Sequence, residues 1–338
     1  MSDGTRGRAR TAGAHKTVSA GKAVSAGKDD CVPGAAARAA HPRDRDGDLT
    51  RGQVVAMLAD LHRTLRERYG TPDEERLDTQ WSETGRRRAR LTIPVRFHAL
   101  AAGRAGRLSG ASARGQIATL NAAYSGRTGG ADTGVRFRLV GYDTTNKAAW
   151  FYHPQKYESP IKHRLRKGGR GTLNLYTASV GRDVLGFSTF PQWYRKSPRM
   201  DGVVVDYRSL PHGTYRRFNR GYTAVHEIGH WLGLLHTFQG GCTPPGDGVS
   251  DTPYEATPAQ GCPHYKDTCP QRGDDPVHNF MNYGFDSCMR SFTAGQGRRI
   301  RAAWAAYRAP KHRHKRGHRS VDRGTGEAGE ARSVGGAR

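Results

Sequence analysis

His226-Glu227-Ile228-Gly229-His230-Trp231-Leu232-Gly233-Leu234-Leu235-His236 sets three histidines and one carboxylate at fixed spacing. Side chains four apart on a helix stand one turn above each other on one face, so His226 and His230 can aim ring nitrogens at a single point. Glu227 is one residue round, close enough to serve chemistry at that point without occupying it. Gly233 lacks a Cβ and can take positive φ, which ends the helix and turns the chain so that His236 becomes a third donor. Three imidazoles with a fourth position open make the donor set of a catalytic zinc ion, because a structural site would close that position with Cys or His. A water held there, with Glu227 as general base and then proton shuttle, gives hydrolysis. Trp231, Leu232, Leu234 and Leu235 read as the packing side of the same helix.

Downstream stands Asn279-Phe280-Met281-Asn282-Tyr283. The extended histidine motif followed by such a methionine resembles the metzincin signature. Further residues narrow the resemblance to the pappalysin family in its small microbial form. They are His236-Thr237-Phe238-Gln239-Gly240-Gly241-Cys242, Asp251-Thr252-Pro253, Cys262-Pro263, Asp267-Thr268-Cys269 and the run from Asn279 to Cys288, and the likeness covers residues 91–308.

The resemblance implies an α+β fold of the metzincin-type zincin kind. It has a twisted mixed sheet with a backing helix and an active-site helix, then an irregular, disulfide-stapled C-terminal subdomain with the methionine turn. It also implies a zinc endopeptidase acting on protein or peptide substrates, with Met281 as the apolar floor beneath the metal and Tyr283 supporting the oxyanion. The family's interlocked disulfides would pair Cys242 with Cys269 and Cys262 with Cys288; sequence alone allows three pairings of four cysteines. Calcium binding is implied near Gly246-Asp247-Gly248-Val249-Ser250-Asp251-Thr252-Pro253, where Asp247, Asp251 and Thr252 offer oxygens to a hard cation, although plain turn acids read the same way. The loop Tyr283-Gly284-Phe285-Asp286-Ser287-Cys288 would wall the pocket for the side chain just after the scissile bond. An acid there favours a guanidinium, so Asp286 predicts cleavage before Arg, and less well Lys. As a solvated turn residue or calcium ligand, Asp286 would carry no such preference.

With 338 residues there is room for one catalytic domain and appendages, and 35% hydrophobic content is low for a chain that is all core. The formal charge of +25 allows a polyanionic partner. The basic residues are nevertheless scattered among Ala and Gly, with no zinc-finger or helix-turn-helix pattern, which argues against specific nucleic-acid binding. No stretch is apolar enough to span a bilayer. Four of the five cysteines follow the histidine motif and none forms a Cys-x-x-Cys pair. They read as two disulfides in an oxidising compartment, hence secretion, although residues 1–45 hold no apolar run of signal-peptide length. The chain reads as a monomer.

Taken in order, residues 1–48 lack periodicity and read as disordered. They contain the odd cysteine, Cys31, whose thiolate would occupy the open zinc position and keep a precursor latent; a spare thiol in a floppy tail is the plain alternative. Residues 49–90 read as a pro-segment. Val54, Leu58, Leu61, Leu65 and Tyr69 make an amphipathic helix closed by Gly70, and a polar, exposed linker over 71–90 ends in Arg86-Arg87-Arg88-Ala89-Arg90. Residues 91–308 form the catalytic domain. Leu91, Ile93, Val95 and Phe97 alternate as a strand; Ile117, Leu120, Asn121 and Tyr124 follow at helical spacing; Val135–Leu139, Leu173–Thr177 and Val203–Tyr207 read as further strands. Gly186-Phe187-Ser188-Thr189-Phe190-Pro191 is the candidate cleft edge, and an inner strand ending at a turn would look alike. Ile300, Trp304 and Tyr307 mark a closing helix, and 309–338 is a basic tail. The competing functional class is a non-catalytic binding protein on the same scaffold, against which the intact Glu227 and Tyr283 stand.

Overall fold

The computed structural model describes residues 49–84, 90–181 and 184–309. Cys31, the arginines of 86–88 and the tail beyond 309 lie outside them. In chain order the elements are α1 (Arg51–Tyr69), α2 (Glu74–Glu83), β1 (Leu91–Ala101), α3 (Gly110–Tyr124), β2 (Val135–Asn146), α4 (Ala148–Tyr152), α5 (Glu158–Leu165), β3 (Leu173–Ala178), β4 (Gly186–Ser188), β5 (Val203–Asp206), α6 (Tyr222–Trp231) and α7 (Ala294–Ala303). The expected α+β architecture is present, a five-stranded sheet in the order β2-β1-β3-β5-β4.

β1, β2, β3 and β5 run parallel, and β4 pairs antiparallel with β5 at the sheet's edge. Parallel strands are joined by helices that cover their faces, and both faces are covered here. One face packs Ile93, Val95, Phe97, Leu175 and Val205 against Ile117, Leu120 and Tyr124 of α3 and against Val225, Ile228 and Trp231 of α6. The other packs Leu100, Tyr176, Phe187 and Val204 under Trp150, Phe151 and Ile161 of α4 and α5. Burial on both faces explains why all six residues of β3 are inaccessible. From residue 239 to residue 293 the described chain contains neither helix nor multi-residue strand, as expected for stapled loops.

The N-terminal helices depart from the expected linker. α1 begins at a reciprocal capping box between Thr50 and Gln53 and ends at Gly70, which takes φ 77°. Residues 74–83 then form α2 rather than exposed coil. Asp73 caps it by accepting from the backbone N–H of Glu75 and Arg76 at 2.9 and 3.0 Å, and Leu77 is buried. Leu61, Leu65 and Leu77 pack on Ala302, Ala303 and Ala306, while Glu74 pairs with Arg299 and Asp78 with Arg301. α2 is polar in sequence because it touches the domain through two apolar residues, Leu77 and the partly buried Trp81, and two ion pairs.

α6 is fixed at both ends. Tyr124 donates to the Val225 carbonyl at 2.9 Å, and Gln116 donates to the Gly221 carbonyl at 3.0 Å. At the far end, Arg308 donates through Nε to the Trp231 carbonyl at 2.9 Å, lays its guanidinium 3.5 Å from the Trp231 ring centroid, and pairs with Asp201 at 3.0 Å. Asp201 also accepts from Trp231 Nε1 and Thr189 Oγ1, each at 3.1 Å. Burial pulls the Arg308 pKa down and Asp201 opposes that shift. Removing one member of such a pair strands the other charge. Asp201→Ala is expected to cost about 3–5 kcal/mol of unfolding free energy in urea denaturation. A loss under about 1 kcal/mol would mean that the ion pair does not anchor α6.

Candidate active site

His226 and His230 project from α6, and Gly233, at φ 99°, turns the chain back so that His236 joins them. His230 Nε2 lies 3.2 Å from His226 Nε2 and 3.1 Å from His236 Nε2. Among the described residues this is the one group of three or more His, Cys, Asp or Glu side chains whose donor atoms converge, all within 4.8 Å. His226 Nδ1 donates to the Phe280 carbonyl at 2.6 Å, and His230 Nδ1 donates to the Leu234 carbonyl at 2.8 Å. With the protons on Nδ1, the Nε2 lone pairs face one another, an arrangement that repels unless a cation lies between them. Zinc–nitrogen bonds of about 2.0–2.1 Å at tetrahedral angles place ligand nitrogens about 3.3 Å apart, close to the spacing seen. Burial, and then the neighbouring His236, hold the His230 pKa well below the usual imidazole range, so it is in the neutral, metal-binding form. The residues therefore fit zinc.

Two glycines set the approach of the parts around this triad. A Cβ at Gly229 would stand 2.4 Å from Met281 Sδ, so the motif's glycine is what lets the methionine floor close up under α6. A Cβ at Gly186 would stand 2.8 Å from Glu227 Cγ and 3.0 Å from the Val204 carbonyl. The edge strand β4 thus lies directly against the carboxylate beside the triad. Tyr283 packs edge-on to His236, with ring centroids 4.9 Å apart, and Phe238 stacks on His236 at 4.7 Å. Phe190, just beyond β4, lies 5.3 Å from the His230 ring. Neither glycine contact nor the two phenylalanines was assigned a role from sequence. Gly186 and Phe190 fell inside the candidate edge segment, and Phe238 inside the run after His236 that carries the family resemblance.

The loops after α6 carry the remaining candidates. Cys242 is bonded to Cys269 and Cys262 to Cys288, with Cα separations of 5.4 and 5.5 Å. Asp286 is buried, accepts from the Arg220 backbone N–H at 2.8 Å, and donates its own N–H to the Arg217 carbonyl at 2.9 Å. It therefore ties the loop before α6 to the loop after the methionine turn. Asp247 and Thr252 meet: Asp247 Oδ1 accepts from the Thr252 hydroxyl at 2.7 Å and from the Val249 N–H at 2.9 Å. Burial pushes the Asp247 carboxyl up to about 7 against the pull of these bonds. Asp251 turns to α7, accepting from the Gly295 N–H at 2.7 Å. The three residues expected near a calcium ion thus do not form a convergent carboxylate cluster.

The family model for pregnancy-associated plasma protein-A peptidases matches residues 184–305. An extracellular metalloprotease of Arthroderma benhamiae is 40% identical over 230 residues, 65% of this chain and 74% of the relative. One of Verticillium alfalfae is 44% identical over 238 residues, 67% of this chain and 81% of the relative. Among solved structures, mature mirolysin of Tannerella forsythia in complex with a cleaved peptide is 28% identical with a TM-score of 0.55, over 62% of this chain and 90% of that one. A promirolysin mutant from the same organism is 26% identical with a TM-score of 0.56, over 72% of this chain and 91% of that one. The family match runs across the residues that assemble the triad and the relatives share most of their own length with it: the chain belongs to the pregnancy-associated plasma protein-A, or pappalysin, family and is a metallopeptidase.

Proposed function

We propose that this chain is a secreted zinc endopeptidase that cuts protein or peptide chains on the N-terminal side of arginine, and less readily lysine. The observation that carries the reading is the meeting of three imidazole Nε2 atoms beside a buried glutamate at the edge of a sheet. Zinc, when bound by His226, His230 and His236, supplies a Lewis acid that polarises the scissile carbonyl and lets water lose a proton near neutral pH. It is the one metal this reading requires.

Glu227 takes that proton and passes it to the leaving amine. β4 offers its outer edge to an extended substrate backbone, so the scissile bond arrives beside Glu227 through main-chain hydrogen bonds that are indifferent to sequence. Tyr283, packed on His236, lends its phenol to the oxygen on which negative charge develops. Selectivity rests on Asp286. Its carboxylate is tethered by a backbone N–H in a buried setting, where pairing with a guanidinium gains more than in water. Secretion is supported by the two disulfides and by relatives named as extracellular.

Glu227→Ala is expected to bind one zinc per chain and keep the fold while cleavage of an unfolded protein falls by about a hundredfold or more. Residual cleavage near the wild-type rate would overturn the mechanism. Sequencing the new N-termini of a digest is expected to show Arg, then Lys, at the first position. Asp286→Asn keeps the acceptor for Arg220 but removes the charge, so it is expected to abolish that enrichment. Enrichment that persists in the variant would overturn the pocket assignment.

A further inference from the structure

Glu255 was assigned no role from sequence, yet its fully buried carboxylate joins both sides of the metal site. One oxygen accepts from the Thr237 hydroxyl at 2.9 Å and from Asn282 Nδ2 at 2.8 Å. The other accepts from Asn282 Nδ2 at 3.0 Å and from Lys266 Nζ at 3.0 Å. Thr237 follows His236 directly, and its own N–H donates to the Met281 carbonyl at 3.2 Å. Asn282 lies between Met281 and Tyr283, and its Oδ1 accepts from the N–H groups of Tyr283 and Ala259, both at 2.8 Å. Lys266 sits between Cys262 and Cys269 and also pairs with the buried Asp275 at 2.9 Å.

Such a cluster is a poor route to stability alone, because two carboxylates and an ammonium lose hydration that their attraction barely restores. What a carboxylate does well is accept several donors at once in fixed directions. Here those donors belong to the two segments whose separation the chemistry needs: the one that ends in the third histidine and the one that carries the methionine floor and Tyr283.

We propose that Glu255 is a positioning residue: it holds Thr237, and through it His236, in register with Asn282, and through it Met281 and Tyr283. The role rests on the zinc peptidase reading above. Partners one shell out from metal ligands typically govern about 10–100-fold in metal affinity or activity.

The test uses the full-length chain, with zinc affinity measured by competition against a chromophoric chelator, kcat and KM on a peptide, and thermal melting. Thr237→Val keeps volume but deletes the donor, and it is expected to weaken zinc about tenfold and to lower kcat more than KM. Glu255→Ala is expected to do both more strongly. Glu255→Gln keeps one oxygen for Thr237 and Asn282 but turns an NH2 donor toward Lys266, so it is expected to recover part of the zinc affinity lost in Glu255→Ala. If Glu255→Ala does not fold, Thr237→Val decides alone. Wild-type zinc affinity and kcat in Thr237→Val, and in Glu255→Ala where it folds, with a lowered melting temperature, would overturn the proposal and leave Glu255 as a brace of the loop. If the wild type binds zinc but cleaves nothing, the peptidase reading fails, while the zinc affinities still decide whether Glu255 positions His236.

Discussion

The hydrogen bond from His226 Nδ1 to the Phe280 carbonyl is the joint on which the molecule turns. It fixes the tautomer and the rotation of the first imidazole, so its Nε2 points at its two partners rather than past them. It also ties α6, which belongs to the sheet half, to the methionine turn, which belongs to the irregular half. Gly229 makes that approach possible, since any side chain there would collide with Met281 Sδ. α3 and Arg308 hold this helix in place, and the methionine turn returns the chain to its underside.

The two halves are stabilised by different physics. The sheet half buries apolar side chains on both faces, a non-directional gain that needs only the right periodicity. The half after His236 has no such periodicity and relies on directed contacts. Its two disulfides span 27 and 26 residues, each worth about 3.5 kcal/mol in chain entropy. Buried carboxylates at Asp275 and Asp286 then accept from backbone N–H groups that no strand or helix satisfies, and the buried Glu255 ties side chains of three loops together. Directional contacts of this kind hold catalytic groups to a tighter tolerance than packing alone, which suits the half that carries Met281 and Tyr283.

This difference explains what was legible in the sequence. Periodicity announced β1, α3, β3 and α6, and the motif spacing with Gly233 announced the triad, because in each case local geometry and side-chain chemistry point the same way. α2 was not legible: its contact with the domain is Leu77 and Trp81 with Glu74 and Asp78, too sparse an apolar pattern to tell from polar coil. α4 and α5, of five and eight residues, are too short to display a helical period. Glu255 was hidden for a deeper reason. A lone Glu in Tyr254-Glu255-Ala256-Thr257 carries no sign that Thr237, Lys266 and Asn282, remote along the chain, fold onto it. Gly186 was inside the right segment, but that its missing Cβ makes room for Glu227 is a tertiary fact.

The net charge of +25 bears on how selectivity for a cationic side chain would arise. A strongly basic molecule repels a basic substrate at long range, so encounter steering works against the preference proposed here. The preference has to be generated after contact, within distances shorter than the roughly 8–10 Å over which salt screens surface charge. A buried, backbone-tethered Asp286 would meet that requirement, because a charge held out of water is screened least. The proposed preference for arginine therefore depends on the burial of Asp286.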